Sequence, residues 1–240
     1  MSDLPIVALM YDFDRTLCTK NMQGYSFIPS LGMTDGEFWD YTNELGLREH
    51  MDSVLAYMYA MVKIAQDKNI ALKRESLVKM GENIEFFKGV EGWFDRINRF
   101  GIENGAAVWP KTDVNYTNKT QFVYRINKGV LDVANDVDLN RSMPDDSKRV
   151  PFCNMIYIGD GLSDVPCMKM MKAYGGYSIA VYQKRDSKVE ALLNRDRVDF
   201  IYPADYSEGT GLDMTVKNII KKMAIADKLT AENSSQKKNI

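Results

Sequence analysis

The strongest constraint on the fold of this chain is a series of short apolar runs that alternate with helical segments. The first run, residues 5–11 (PIVALMY), contains no charged residue, which is typical of a strand buried on both faces. Similar runs occupy residues 155–158, 179–182 and 200–202, and helical patterns lie between them. This strand–helix–strand alternation predicts an α/β fold built on an open parallel sheet.

The chain between the first run and residue 100 has a different periodicity. Apolar residues recur there in four places at the 3.6-residue spacing of an amphipathic helix. The first three predicted helices form an insertion after the first strand, and the fourth returns the chain to the core. We therefore assign residues 1–18 and 88–227 to a core domain, residues 19–87 to a helical cap domain, and residues 228–240, which are polar and aperiodic, to a flexible tail.

Composition excludes several classes of function. The 240 residues carry 31 Lys and Arg against 33 Asp and Glu, a net charge of −2 that argues against a nucleic-acid partner. No apolar run approaches the ~18 residues of a membrane span, and the N-terminus lacks the basic start of a signal peptide. Three cysteines favour a reduced, cytoplasmic protein, and the single histidine excludes a His-rich zinc site. The composition does not predict an oligomeric state.

Pairs of acidic residues follow two of the predicted strands. Asp12 and Asp14 end the first run, and Asp160 and Asp164 follow the second. Ligands of an open parallel sheet collect at the carboxyl ends of its strands, so four carboxylates converge there if these two strands are neighbours. Carboxylates that close repel one another unless a cation lies among them or some are protonated. Ligands that are all oxygens favour Mg²⁺.

Both acidic segments resemble motifs of the haloacid dehalogenase (HAD) superfamily. Residues 12–16 (DFDRT) are similar to its first motif, DxDx[TV], and residues 159–164 (GDGLSD) to its fourth, GDxxxD. The helical insertion after the first motif resembles a type C1 cap, and the whole correspondence covers most of residues 5–205. This resemblance implies a Rossmannoid core and a Mg²⁺-dependent phosphatase, a hydrolase that attacks a small phosphorylated metabolite through an aspartyl-phosphate.

The resemblance also implies a role for each acidic residue. Asp12 would be the nucleophile, and Asp14 would protonate the leaving oxygen and later activate water. Mg²⁺ would be bound by Asp12, by the backbone carbonyl of Asp14 and by Asp160, while Asp164 would complete or orient that set of ligands. The second Asp of the first motif marks phosphatases within the superfamily, so dehalogenation is disfavoured.

A lysine and a hydroxyl complete the expected site. The third motif of the superfamily requires a lysine that offsets the charge of nucleophile and phosphate, and we assign this role to Lys119, in the first turn of a predicted helix. The alternative is a solvated lysine on the helix surface. Lys128, near the far end of that helix, is better explained as a partner of the helix dipole. Thr16 is expected to brace the turn after Asp14, and we group it with Lys119 as phosphate-binding.

The second motif of the superfamily, a Ser or Thr at the end of the next core strand, has no match. Only about four residues separate the predicted helix at 90–99 from the Asn104–Gly105 turn, too few for a strand, a crossover helix and a further strand. We therefore expect a core segment to be absent, either because the chain is a deletion variant or because the sequence as given lacks that segment. The hydroxyls that could substitute, although each is better explained as a turn or cap residue, are Thr112, Thr117 and Ser142.

Three functional hypotheses remain open. The first is the Mg²⁺-dependent phosphatase. The second is a catalytically impaired or non-catalytic relative that binds Mg²⁺ or phosphate, which the absent second motif favours. The third is a flavodoxin-like flavin binder, against which the acids after the first strand argue, because they would repel the phosphate of FMN.

Overall fold

The computed structural model of the protein describes residues 5–108, 119–144 and 147–238, and it confirms the predicted α/β class. Its five strands are β1 (Ile6–Tyr11), β2 (Ala107–Val108), β3 (Met155–Gly159), β4 (Tyr177–Tyr182) and β5 (Phe200–Pro203). Its α-helices are α1 (Phe27–Ser30), α2 (Asp35–Glu49), α3 (Ser53–Asp67), α4 (Arg74–Met80), α5 (Val90–Glu103), α6 (Lys119–Lys128), α7 (Asp136–Asn140), α8 (Val165–Ala173), α9 (Ser187–Asn194) and α10 (Gly211–Lys238). None of these described helices is long and apolar enough to cross a membrane.

All strands run parallel in one sheet, in the order β2-β1-β3-β4-β5. The two strands that end in acidic segments, β1 and β3, are direct neighbours. Their register pairs Ala8 with Met155 and Tyr11 with Ile158, so the two strands end at the same level. The backbone N–H of Asp12 donates to the carbonyl of Ile158 at 2.9 Å and extends the pairing to the first acid.

Helices cover both faces of the sheet, which explains the unbroken apolar runs. Every residue of β3 is buried. Ile156 and Ile158 pack in one cluster with side chains of α5 and α10, and Met155 and Tyr157 pack in a second cluster with side chains of α6 and α8. The alternation of the side chains across the strand thus places the tyrosine of this run on the α6 and α8 face.

The backbone divides into two compact units, one formed by Met1–Leu17 with Phe86–Ile240 and the other by Cys18–Glu85. The second unit contains α1 to α4. At the start of α2 the hydroxyl of Thr34 accepts from the N–H of Glu37, and the Glu37 carboxylate accepts from the N–H of Thr34. The buried core of this unit consists of Phe27, Ile28, Leu31, Phe38, Leu45, Ala60 and Ala65.

The segment after α5 corrects part of the sequence analysis. The chain turns at Gly105, whose φ is 80°, and Ala107–Val108 then pair in parallel with Ile6 and Val7. A strand beside β1 therefore does follow the turn, because α5 already serves as the connection that returns the chain to the sheet. This strand has only two described residues, and the next described element is α6. Thr112 and Thr117 lie outside the described residues.

The C-terminal segment also differs from the sequence expectation. Residues 228–238 continue α10 instead of forming an irregular tail. The first half of the helix is held in the core by buried residues that include Val216 and Ile220. The exposed second half continues the same backbone hydrogen bonding. Lys, Ala and Glu in this stretch are good helix formers, so the helix does not require a periodic apolar face to continue.

Replacing Gly89 by Ala should strongly destabilise the fold. Gly89 has a φ of 84°, and a Cβ there would lie 2.4 Å from the backbone nitrogen of Ser207. An alanine in this left-handed conformation should lower the free energy of unfolding by about 1–3 kcal/mol. The overlap of its Cβ with the backbone of Ser207 should lower it by a further ~1–3 kcal/mol. Gly92→Ala is the matched control, since a Cβ there meets only Arg96 Nη1 at 3.8 Å. It should raise stability by ~0.5–1 kcal/mol in urea unfolding, and equal destabilisation by both variants would contradict this explanation.

Candidate metal centre

Three carboxylates converge at the carboxyl end of the sheet. Asp12 after β1, with Asp160 and Asp164 after β3, each offer an oxygen, and these three oxygens lie within 4.8 Å of one another. The register of β1 and β3 brings them together, because both strands end at the same edge. The structure therefore places Asp12 and Asp160 side by side, which is the arrangement on which the predicted metal site depends.

The turn after β1 fixes the position of Asp12. The carbonyl of Phe13 accepts from the N–H groups of Thr16 and Leu17, and Arg15 adopts a left-handed backbone with a φ of 58°. Thr16 is buried, and its hydroxyl donates to Oδ2 of Asp12 at 3.4 Å. Thr16 thus braces this turn, as predicted, and does so through the carboxylate of Asp12.

Asp14 occupies the same turn but has a different position from the other acids. It is half-buried, and its side chain is not one of the three clustered carboxylates. The resemblance assigns its backbone carbonyl, and not its carboxylate, to the metal, and this assignment remains a prediction.

Two glycines shape the segment after β3. A Cβ on Gly159 would lie 2.5 Å from Cγ of Asp164, so only glycine leaves room for that carboxylate to turn back over the strand end. The backbone N–H of Gly161 donates to Oδ2 of Asp164 at 3.2 Å. The spacing between Gly159 and Asp164 therefore has a physical reason. It lets the chain turn back so that the fully buried Asp164 lies against the end of β3.

Lys119, the first residue of α6, joins two of the carboxylates. Its Nζ donates to Oδ1 of Asp12 at 2.5 Å and to Oδ1 of Asp164 at 2.6 Å. Only 8% of its side chain is exposed, so the alternative of a solvated surface lysine is wrong. Lys119 is positioned to offset negative charge on Asp12, as the sequence analysis predicted.

The remaining candidates from the sequence lie away from the cluster. Lys128 lies in the last turn of α6, where the interpretation as a partner of the helix dipole places it. Its Nζ also donates to the carbonyl oxygens of Leu139 and Arg141. Ser142 is exposed in the loop after α7.

Tyr157 belongs to the site, although the sequence analysis treated it only as part of an apolar run. It is buried in β3, and its hydroxyl donates to Oδ1 of Asp164 at 2.6 Å. A phenol among otherwise apolar neighbours of a buried strand requires a hydrogen-bond partner, which is the signal that could have identified it.

The charges of the cluster do not balance without a further cation or proton. Three carboxylates surround one ammonium, which leaves an excess of two negative charges when all of them are ionised. Burial and the neighbouring carboxylates of Asp12 and Asp164 raise the pKa of Asp160 to about 7. Burial and Asp164 also raise the pKa of Asp12, although Lys119 opposes the shift. Burial alone would lower the pKa of Lys119, but the two carboxylates outweigh it and raise that pKa, so the ammonium stays charged.

The donor set fits a hard divalent cation. All three clustered groups are carboxylates, and no His or Cys is among them. Asp164 already accepts hydrogen bonds from Lys119, Tyr157 and Gly161. No described residue donates a hydrogen bond to the carboxylate of Asp160, which makes it the acid best placed to bind an ion. The cluster could hold a metal ion, and its geometry does not identify which one.

Comparison with known proteins adds one relative. No family model matches the chain. An uncharacterised protein of Borreliella burgdorferi is 23% identical over an alignment of 273 positions, which covers 86% of this chain and 94% of the relative. Because the alignment is longer than the 240 residues of this chain, the relative carries residues without a counterpart here.

Removal of the Lys119 charge should destabilise the protein. Lys119→Met leaves Asp12 and Asp164 buried together without their shared cation, and breaking a buried pair in this way costs ~3–5 kcal/mol in the free energy of unfolding. The loss should be larger at pH 8 than at pH 5, because the pKa of Asp160 is raised to about 7 and its proton relieves part of the repulsion at the lower pH. Lys172→Met is the matched control: Lys172 also pairs with two carboxylates, Asp196 and Asp199, but near solvent. That variant should lose at most about 1 kcal/mol, and equal losses would contradict the buried charge balance.

Divalent cations should stabilise the protein in a pH-dependent manner. The pKa of Asp160 is raised in the folded protein, so its proton stabilises the metal-free fold at low pH, and that contribution is lost as the pH rises through about 7. Mg²⁺ replaces the proton, and at a hundred times its Kd it should add ~2.7 kcal/mol at pH 8. The gain should fall towards pH 5. Thermal unfolding with and without Mg²⁺ measures it; an equal gain at both pH values, or an unchanged gain in Asp160→Asn, would count against the site.

Proposed function

We propose that this protein is a Mg²⁺-dependent phosphatase of the HAD superfamily that hydrolyses a small phosphorylated metabolite through an aspartyl-phosphate on Asp12. The observation that carries the proposal is the position of Asp12, which lies within 4.8 Å of two other carboxylates and accepts a hydrogen bond from Lys119. An anionic nucleophile can approach an anionic phosphate only where cations screen both charges. This cluster provides one such cation and the ligands for another.

The contacts of Asp12 suit a nucleophile. Its Oδ1 is bound to Lys119, whereas Oδ2 makes a longer contact with the hydroxyl of Thr16. Oδ2 would attack phosphorus and form the Asp12–phosphate bond while the bond to the leaving oxygen breaks. Lys119 would hold the carboxylate in place and offset charge on the phosphoryl oxygens.

Asp14 would serve as the general acid and base. It would donate its proton to the leaving oxygen in the first step, and it would then take a proton from the water that attacks the aspartyl-phosphate. Its separation from the three clustered carboxylates supports this role, because a metal-bound carboxylate exchanges protons poorly. When bound by Asp12, Asp160 and the Asp14 carbonyl, Mg²⁺ would neutralise charge on the transferring phosphoryl group.

A second candidate function is a catalytically impaired or non-catalytic relative that binds Mg²⁺ or phosphate. The unmatched second motif favours it, since neither described residue of β2 is a Ser or Thr that could donate to a phosphoryl group. Loss of one such donor typically costs ~2.7–4 kcal/mol in the transition state, or roughly 10²–10³ in rate. Slow turnover is therefore compatible with the first proposal, whereas complete absence of turnover favours the second.

Hydrolysis of p-nitrophenyl phosphate tests the proposal. The full-length protein should release nitrophenol with Mg²⁺ and stop when EDTA is added. Asp12→Asn should lower the rate by a factor on the order of 10³ or more, because the amide removes the nucleophile and keeps the shape of the side chain.

Asp196→Asn is the matched control for this substitution. Asp196 has a left-handed backbone with a φ of 54°, which Asn tolerates well. Its side chain is exposed, and the residue precedes β5, which is an edge strand of the sheet. This variant should keep the wild-type rate. Equal rates for wild type and Asp12→Asn would reject the aspartyl-phosphate mechanism, and Mg²⁺ binding without any hydrolysis would favour the non-catalytic alternative.

A further inference from the structure

The hydrogen bond from Tyr157 to Asp164 connects the core of the sheet to the acidic cluster. Only 3% of the residue is exposed, and it packs among apolar side chains that include Ala8, Val123 and Met168. Its hydroxyl donates to Oδ1 of Asp164 at 2.6 Å, and Asp164 itself is fully buried. The phenol therefore links this apolar cluster to the carboxylate of Asp164.

We infer that Tyr157 is a positioning residue that sets the metal affinity of the cluster by fixing the carboxylate of Asp164. The inference rests on the proposal that this cluster binds Mg²⁺. Three donors surround Asp164, namely Tyr157 and Lys119 at Oδ1 and the N–H of Gly161 at Oδ2. Of these, Tyr157 belongs to the rigid strand β3, and the other two belong to the ends of flanking segments.

The hydrogen bond acts on more than one carboxylate. Tyr157 orients Asp164, Asp164 accepts from Lys119, and Lys119 in turn donates to Asp12. A continuous series of short contacts thus links a buried strand residue to the proposed nucleophile. Partners that orient metal ligands typically change metal affinity by 10–100-fold when they are removed.

The phenol is suited to this role because it remains a donor under all conditions in which the protein is folded. Burial and the charge of Asp164 raise the pKa of Tyr157 far above its ordinary value. The O–H therefore does not titrate together with the carboxylates. Its contribution to the position of Asp164 should be the same whether a proton or a metal ion neutralises the cluster.

Tyr157→Phe tests the inference with Mn²⁺ as the probe, because its electron paramagnetic resonance signal reports free and bound ion without any substrate. The variant keeps the ring and removes only the hydroxyl, so the Kd for Mn²⁺ should rise by about 10–100-fold. In the phosphatase assay the Mg²⁺ concentration at half-maximal rate should rise by a similar factor.

Tyr202→Phe is the matched control. The hydroxyl of Tyr202 forms a 2.7 Å hydrogen bond with Thr215, so this variant also loses one phenol contact while the cluster keeps all of its own. A purely structural role for Tyr157 would lower the unfolding midpoint in both variants and leave the Kd for Mn²⁺ unchanged. A Kd for Tyr157→Phe within twofold of wild type, or no Mn²⁺ binding by the wild-type protein, would overturn the inference. The phosphatase proposal fails separately, if wild type binds Mn²⁺ but hydrolyses no phosphate ester.

Discussion

The parallel pairing of β1 with β3 is the interaction on which the rest of the site depends. The segment after β1 contributes Asp12 and the segment after β3 contributes Asp160 and Asp164, so all three carboxylates meet only because the two strands end together. A slip of one residue would reverse the faces of β1 and move Asp12 away from Asp160 and Asp164. The alternating apolar side chains of both strands fix this register, because each face of the sheet packs against its own pair of helices.

The cluster concentrates negative charge where the fold is least able to solvate it. Lys119 compensates only part of that charge, and the raised pKa of Asp160 shows how the metal-free protein accommodates the remainder. Buried carboxylates of unbalanced charge lower the free energy of unfolding and favour the binding of cations, which is common at functional sites. The same excess of negative charge would attract a dication, and a bound dication would in turn attract a phosphate group.

Much of this arrangement could be predicted from the sequence, because it follows from local patterns. Unbroken apolar runs identified the strands, and the acids that follow them identified the edge at which they meet. Tyr157 was not predicted, because a phenol in an apolar strand indicates that a hydrogen-bond partner is needed and does not identify Asp164 as that partner. The pairing of β2 with β1 and the exposed half of α10 depend on tertiary contacts and on continuation of an existing helix, and neither has a distinctive pattern. The contact of Lys128 with α7 likewise joins segments whose approach no spacing in the sequence determines.

The position of β3 after α1 to α7 in the chain has a consequence for how the protein is made. The helices of Cys18–Glu85 are contiguous in sequence and can pack as soon as they leave the ribosome. β1, by contrast, can complete its pairing only when β3 arrives, because closing so long a loop is slow. Asp12 is thus synthesised well before Asp160 and Asp164, and its surroundings are complete only after both have followed.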